Sequence, residues 1–420
     1  MDKNNGAIYD ARKLGKPKMI ILGVQHMFAM FGATILVPIL TGLDISTTLL
    51  MAGLGTLLFH CITKFKVPAF LGSSFAFLGG YAAIKAFSPN DPNSMLPYAC
   101  LGVACAGLIY FILAAVIKAV GIEKVMRFFP PVVTGPIIIA IGLGLAPSAV
   151  SNCTTNWFLA VVALAVIVVF NIWGKGMAKI IPIILGLLIS YGTGLVLYFI
   201  SQANPDLIQN VPWLFSGGAD ANGVYQPIFD FTSLNTICDN ISKGHIFGSE
   251  GLIGIPIHWD KTVFGGIDYS NGALIASSII AIVPIAFATM MEHIGDICAI
   301  SSTTGNNYIK DPGLHRTLVG DGLATTLASL FGGPANTTYG ENTGVLALTR
   351  VYDPRVIRIA AYFAVAVSFF PIVSVIIGSI PSCIIGGISF VLYGMISAIG
   401  VRNVVENKVD FTKSRNLIVA

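Results

Sequence analysis

The feature that most constrains this chain is a broken, polar stretch, Pro334-Ala-Asn-Thr-Thr-Tyr-Gly-Glu-Asn-Thr-Gly344, inside sequence that is otherwise apolar enough for lipid. A charged group at bilayer depth is costly, so such residues usually face a pocket or a transport pathway. Pro and Gly interrupt helix here, and residues 336–339 favour extended backbone, which membranes tolerate only where it lines a cavity or is buried in protein. The stretch therefore predicts a functional site, with Glu341 as its carboxylate.

The composition predicts a polytopic all-α membrane protein, with the lipid bilayer as its surroundings. Hydrophobic residues make up 55% of the 420 residues and charged residues only 10%, whereas soluble chains are about a quarter charged. The net charge of +4 is small and scattered, which argues against a nucleic-acid partner. The spans contain no nucleophile–base pair, metal-ligand spacing or cofactor motif, so we expect neither an enzyme nor a metal or cofactor.

Apolar stretches of roughly 17 to 25 residues, each long enough to cross a bilayer, predict twelve spans. With the N-terminus inside, all but three of the 24 Lys and Arg residues (Lys85, Lys243 and Lys261) fall in inside loops. The positive-inside rule then predicts a multi-pass protein of the cell membrane with a cytoplasmic N-terminus. The spans are placed near residues 19–40, 47–63, 67–87, 97–117, 131–150, 156–173, 177–200, 272–292, 314–332, 333–349, 356–379 and 381–400.

The one long hydrophilic segment, residues 201–271, is predicted to be an external loop that separates seven spans (1–200) from five (272–420). An odd number of spans makes two homologous halves insert with opposite orientation. The final residues, 416–420, read as the opening of another apolar run, so the second half is expected to be incomplete at its C-terminal end.

One offset of 266 residues relates the two halves. It carries Pro68-Ala69 onto Pro334-Ala335 and, in the same register, Phe75 onto Glu341 and His26 onto Glu292. Broken segments at corresponding positions of inverted halves indicate the binding site of a transporter. We therefore predict short extended strands at 68–75 and 334–341, each followed by a helix and lying side by side.

Two acids, Glu292 and Asp296, are four residues apart and so share one face of a helix. They repel each other and burial penalises their charged forms, which suits proton carriage. His293 is expected to point to another side of that helix, where it packs or meets the membrane interface. For His26 a structural hydrogen bond and a ligand contact both stay open. The other polar residues in or near the spans are Gln25, Ser73, Ser74, Tyr339, Glu341 and Asn342.

Carboxylates accept hydrogen bonds from N–H groups, and free N–H groups at broken helices donate to carbonyl oxygens. A planar cyclic imide offers partners to both, and Phe75 or Tyr339 is suited to pack against its face. The polar residues thus favour a small cyclic substrate with both donors and acceptors.

At these residues the sequence resembles the nucleobase/ascorbate transporters, the second class of nucleobase–cation symporters, and most closely their bacterial uracil-transporting members. The resemblance covers residues 17–420. The motifs that carry it are Gln25-His26, Gly72-Ser-Ser-Phe75, Glu292-His-Ile-Gly295, Asp311-Pro-Gly-Leu-His-Arg316, Thr337-Thr-Tyr-Gly-Glu-Asn342 and Glu341-Asn-Thr-Gly-Val-Leu-Ala-Leu-Thr-Arg350.

The resemblance implies a fold of fourteen spans in two inverted repeats of seven, and proton-coupled uracil import. Spans 1–4 and 8–11 would form a core domain and spans 5–7, with a partial second set, a gate domain. By motif, the residues that contact the base would be Phe75, Glu292, Gly340 and Glu341. Those that support the site or the proton would be His26, Ser74, Asp296, Tyr339 and Asn342.

One departure keeps a second substrate class open. Asp296 stands where uracil-transporting members have His and resembles the purine-transporting members, whereas Glu341 favours uracil. A xanthine or purine permease of the same family, and an anion exchanger of the same fold, therefore stay as alternatives. A homodimer is one open oligomeric state.

Overall fold

The first half of the chain consists of long helices interrupted by one short strand. In this computed structural model, residues 7–121, 124, 130–179, 181–220 and 222–419 are described, without the side chains of Ala33 and Glu341. Asp44 and Asn156 cap the second and sixth helices by accepting a hydrogen bond from a first-turn N–H. The elements are α1 (Lys16–Thr41), α2 (Ile45–Ile62), β1 (Leu71–Ser73), α3 (Leu78–Lys85), α4 (Leu96–Val120), α5 (Pro131–Cys153), α6 (Trp157–Trp173) and α7 (Pro182–Ala203).

The predicted external loop carries regular structure, because its turn-rich sequence also contains short apolar and amphipathic runs. Its elements are α8 (Asp206–Asn210), α9 (Pro212–Phe215), β2 (Ser216–Ala219), β3 (Tyr225–Pro227), α10 (Thr232–Ser242) and α11 (Val263–Gly266), with β2 and β3 antiparallel. The second half continues with α12 (Gly272–Ile282), α13 (Ala286–Thr304), α14 (Leu314–Leu330), β4 (Asn336–Thr338), α15 (Gly340–Thr349), α16 (Pro354–Ser368), α17 (Pro371–Gly378), α18 (Ser382–Glu406) and α19 (Ser414–Val419).

The chain divides into two compact units. One comprises Met1–Phe129 and Phe247–Ser374, and the other Pro130–Ile246 and Val375–Ala420. The first contains both broken segments. In the second, α5 packs along α18, where Gly135 and Gly142 lie against the α18 backbone and let the two helices approach closely.

Within the first unit, helix packing follows the offset of 266 residues. Helix α2 packs on α16, and its counterpart α14 packs on α4. Both contacts are close because glycines face the partner backbone: Gly53 lies against the carbonyl of Ala361, and Gly107 and Gly322 face each other. Corresponding helices in the two halves thus make corresponding contacts, as expected for an inverted repeat.

The two predicted strands are confirmed. β1 and β4 pair antiparallel, with Leu71 opposite Thr338 and Ser73 opposite Asn336. A 3₁₀ turn, Phe75–Phe77, leads from β1 into α3, and α15 begins two residues after β4. The strand residues are buried in protein, which is the condition for extended backbone at membrane depth.

Among the described residues, seven helices are long and apolar enough to cross a membrane, and an eighth results if α16 and α17, bent by 87°, are one span. The predicted spans at 67–87 and 333–349 are the strand-plus-helix segments, and those at 156–173 and 314–332 are the 17-residue helices α6 and α14. The predicted span at 272–292 extends to Thr304, because Pro284 forms a 3₁₀ turn inside a 33-residue segment without ending it.

Candidate functional site

Tyr339 joins the two broken segments. It directly follows β4, is 5% exposed, and its hydroxyl donates a hydrogen bond of 2.9 Å to the backbone carbonyl of Ser73 on β1. The ring lies so close over Gly72 that a Cβ there would be 2.4 Å from a ring carbon. Phe75 packs against the same apolar cluster as Tyr339. The two aromatic residues predicted for the site are therefore brought together.

Both segments end in helix N-termini that offer backbone donors. Ser74, buried, caps the 3₁₀ turn by accepting from the N–H of Ala76, and its own N–H bonds to the carbonyl of Ala335. At α15 the residue before the helix, Tyr339, provides no side-chain cap. The first-turn N–H groups that begin at Gly340 have no partner within the helix, and the helix dipole adds partial positive charge there.

Asp296 lies directly beside these elements. Its Oδ2 accepts a 3.0 Å hydrogen bond from the hydroxyl of Thr338 on β4, and its Oδ1 would lie 3.4 Å from a Cβ at Gly340. The side chain is half-buried. Asp296 therefore has one oxygen on the strand and the other next to the N-terminus of α15, where negative charge is stabilised.

Glu292 stands one turn before Asp296 on α13, as the spacing predicted, but it is exposed. The burial expected for it is not observed, whereas residues 293, 294 and 297 of the same helix are buried. Glu341 occupies the first turn of α15 by its backbone, and its side chain lies outside the described part of the chain.

His26, fully buried on α1, lies beside Asn342 of α15, also buried. Among the described residues, neither side chain reaches a hydrogen-bond partner with ordinary geometry, and the same holds for Oε1 of Gln25. Buried polar groups are usually hydrogen-bonded to protein or to water, and His26 and Asn342 are placed to serve each other in this way.

The sequence reasoning missed one acidic residue of this region, Asp321 on α14. It is fully buried, and its Oδ2 lies 3.4 Å from Nδ1 of His293, which is also fully buried. The prediction that His293 packs is confirmed, but its acidic neighbour was not anticipated. The available signal was an acid inside an apolar span, the same signal that singled out Glu341.

Chemically, the region combines acceptors, donors and aromatic faces on elements that meet at the strand pair. Carboxylates come from α13, backbone N–H groups from the start of α15, and rings from Phe75 and Tyr339. No group of three metal-ligating side chains occurs in the part of the chain that the structure describes. The arrangement suits recognition of a small planar ring with N–H and C=O groups.

Comparisons with known proteins agree on one family. The model of the Permease family, Xan_ur_permease, matches residues 17–420. The uracil permease of Bacillus caldolyticus is 38% identical over 412 residues, 96% of this chain and 83% of that protein. The uracil permease of Bacillus subtilis is also 38% identical, over 95% of this chain and 83% of that protein. The Escherichia coli K12 uracil permease is 31% identical, over 95% and 82%.

Two solved structures share the fold. The transmembrane domain of the cyanobacterial bicarbonate transporter BicA superposes with a TM-score of 0.61 at 14% identity, covering 98% of this chain and 95% of that one. The structure of SLC26A9 gives a TM-score of 0.53 at 11% identity, covering 97% of this chain and 61% of that one. At these identities the likeness concerns the fold alone.

Proposed function

We propose, from the premise that this chain belongs to the permease family of nucleobase/ascorbate transporters, that it imports uracil in symport with protons. The observation that carries the proposal is the likeness to proteins named uracil permease along almost the whole chain. The chain is a multi-pass membrane transporter and not an enzyme, so uptake is the activity to measure. The concentration of Lys and Arg on one side of the predicted spans supports a cytoplasmic N-terminus.

The base would bind where the broken segments meet. Uracil is a planar imide with two N–H groups and two carbonyl groups, so it needs acceptors, donors and a flat apolar contact. Glu292 and Glu341 would accept from the ring N–H groups, and the N–H of Gly340 would donate to a carbonyl. Phe75 would pack against the ring face, with Tyr339 holding the strands behind it.

Four further residues would support this arrangement. Ser74 caps the 3₁₀ turn that presents Phe75, and His26 and Asn342 lie side by side across α1 and α15. Asp296 contacts Thr338 and adjoins Gly340. The unit made of Met1–Phe129 and Phe247–Ser374 would then be the core domain that holds the site, and the other unit the gate domain.

For proton coupling, Glu292 and Asp296 would share the role. Two carboxylates one turn apart repel each other when both are charged, so one proton bound between them is favoured. Protonation would remove the cost of carrying the charge through a low-dielectric state, which favours movement of the loaded carrier over the empty one.

The test is uptake of radiolabelled uracil by the purified protein in liposomes under an inward proton gradient. We expect uracil to accumulate above its external concentration. A protonophore should abolish this accumulation, and excess xanthine should leave it in place. Asp296 is the observation that favours the second candidate, a purine permease. Xanthine uptake without uracil uptake would assign that candidate, and accumulation insensitive to the protonophore would refute proton coupling.

A further inference from the structure

The first unit contains a buried acid–base pair that the proposed function does not use. His293 on α13 and Asp321 on α14 are both 0% exposed, with Nδ1 and Oδ2 3.4 Å apart. An isolated buried charge is strongly unfavourable, so such a pair is tolerated when the two groups hold a proton between them or are hydrogen-bonded. Structural pairs of this kind are common, so what matters is what else the pair contacts.

Thr338 connects this pair to Asp296. Its hydroxyl lies 3.3 Å from Nδ1 of His293 and donates a 3.0 Å hydrogen bond to Oδ2 of Asp296. Thr338 is 1% exposed and belongs to β4, where it stands opposite Leu71 of β1. A single hydroxyl on the strand thus lies between the half-buried carboxylate and the buried pair.

The directions of these contacts follow from the available donors. Nε2 of His293 has no hydrogen-bond partner among the described residues, whereas Nδ1 faces both Asp321 and Thr338. The proton of a neutral imidazole is therefore better placed on Nδ1, from which it is donated to the Thr338 hydroxyl, while a carboxylate oxygen of Asp321 lies 3.4 Å from the same nitrogen. Thr338 has only one hydroxyl proton. When the Thr338 oxygen accepts a hydrogen bond from His293, the Thr338 hydroxyl donates its own proton to a hydrogen bond with Asp296, which must then offer a lone pair.

We propose that Thr338 is a positioning residue that links the protonation state of Asp296 to the His293–Asp321 pair. When Asp296 is a carboxylate, each hydroxyl and ring donor in the series has an acceptor. When Asp296 is protonated at Oδ2, its own O–H competes for the Thr338 oxygen, and the Thr338 proton loses its acceptor. The link adds a residue to the proton coupling proposed above, and it rests on that proposed function.

Through this link, protonation of Asp296 would affect the elements that are proposed to bind the substrate. Oδ1 of Asp296 adjoins Gly340, and Thr338 is one residue from Tyr339, which holds Ser73 of the opposite repeat. A change in the Asp296–Thr338 bond therefore acts on the start of α15 and on the strand pair. It needs no movement of Asp321, whose surroundings are fully enclosed.

Other titratable groups face this series, and their charges contribute to the pH dependence of the Asp296 signal. On α13 itself they are Glu292 and His293, on α14 Asp321, and on α4 Tyr110, whose hydroxyl donates a 2.6 Å hydrogen bond to Thr289. Glu341 belongs to the first turn of α15, and its side chain lies outside the described part of the chain. These groups remain in place when only the Thr338 hydroxyl is removed, so that change isolates the proposed link.

The experiment follows the carboxyl of Asp296 by infrared difference spectroscopy on the purified full-length chain across pH. Its C=O stretch is assigned by its loss in Asp296→Asn. Thr338→Val removes the hydroxyl at nearly constant volume and deprives the carboxylate of a donor. We expect the protonated signal to appear at a pH higher by about one unit, the effect of roughly a tenfold change in proton affinity. Thr338→Ser should restore the wild-type profile.

Thr317→Val is the matched control, because within the described part of the chain this buried hydroxyl on α14 bonds only to the carbonyl of Leu314 in its own helix. It should leave the signal unchanged. If Thr338→Val does not fold, Thr338→Ala takes its place under the same criterion.

An unchanged profile in the variant without the hydroxyl, or an equal shift in Thr317→Val, would overturn the proposal. The spectroscopic readout does not use transport. A chain that fails to accumulate uracil yet shows the shift would therefore refute the proposed function and keep the link.

Discussion

The hydroxyl of Tyr339 donates a 2.9 Å hydrogen bond to the backbone carbonyl of Ser73, and this contact joins the broken segments of the two repeats. The hydroxyl of Thr34, on α1, donates a 3.4 Å hydrogen bond to the hydroxyl oxygen of Tyr339. One side chain thus connects β1, the residue after β4 and the first helix. The strands have only three residues each, so side-chain contacts of this kind determine how firmly they are held.

Tyr339→Phe should lower the stability of the protein without removing the aromatic surface. A buried hydrogen bond contributes about 1 kcal/mol, and its loss leaves the Ser73 carbonyl with only its other contacts. We expect a lower midpoint of thermal unfolding and a higher KM for uracil. Tyr269→Phe is a suitable control, since that hydroxyl bonds to the carbonyl of Val263 outside the strand region. A KM that rises equally in both variants would contradict the assignment.

Gly72→Ala should abolish uracil binding or prevent folding, because the added methyl group would lie 2.4 Å from the ring of Tyr339 and both strands would have to move. Gly79→Ala provides the matched control. Among the described residues, none outside its own helix turn has an atom within 4 Å of a Cβ there, and the residue is inside α3, so Ala should stabilise by about 0.5–1 kcal/mol. Binding by isothermal titration and thermal unfolding distinguish the two, and equal behaviour would show that the close approach is unimportant.

Glu292→Gln should separate transport from its driving force. A neutral amide cannot exchange a proton, so we expect loss of accumulation against a gradient and of pH dependence, with uracil exchange retained. Exchange and net uptake are measured in the same liposomes at several pH values. Normal accumulation with normal pH dependence would move the proton site to Asp296.

Glu341→Ala should act on binding itself. The proposed role of this carboxylate is to accept hydrogen bonds from the base. Its removal leaves ring N–H groups without a partner, at a cost of about 2–3 kcal/mol, which corresponds to roughly 30- to 150-fold in affinity. Equilibrium binding of radiolabelled uracil measures this directly. Leu348→Ala, an exposed position on the same helix, should leave affinity unchanged.

The contact of the N-terminal segment with α16 should weaken in strong acid. Hydrogen bonds from Arg12, together with the positive charge of Arg355, hold the pKa of Asp10 at about 2, below its usual 3.8. Because the pKa is lower when folded, this contribution is complete above about pH 4 and is lost as the pH falls through about 2. Exchange of the backbone N–H of Ile8, which donates to the carbonyl of Arg350, measures this loss after correction for the intrinsic exchange rates. Asp10→Asn should exchange faster than the wild type at neutral pH and lose the additional change near pH 2, and a wild-type rate in that variant would contradict the account.

The broken segments could be predicted because their cause is local. Pro68 and Pro334 stop helices, the following residues favour extended backbone, and an exact offset marks the pair as equivalent. Their antiparallel pairing then follows from the opposite orientation of the two halves. That Asp296 shares a helix face with Glu292 was also predictable, since a spacing of four residues on a helix determines this.

The sequence by itself determined the membrane class, the positions of most spans and the broken segments, because hydropathy, Pro and Gly act over a few neighbouring residues. Only the tertiary structure decided which buried polar groups meet. Asp321 and His293 are 28 residues apart in sequence, and Thr338 reaches both His293 and Asp296 only because β4 is packed against α13. The exposure of Glu292 was decided in the same way, because helical spacing shows which residues share a face and not which neighbour covers it.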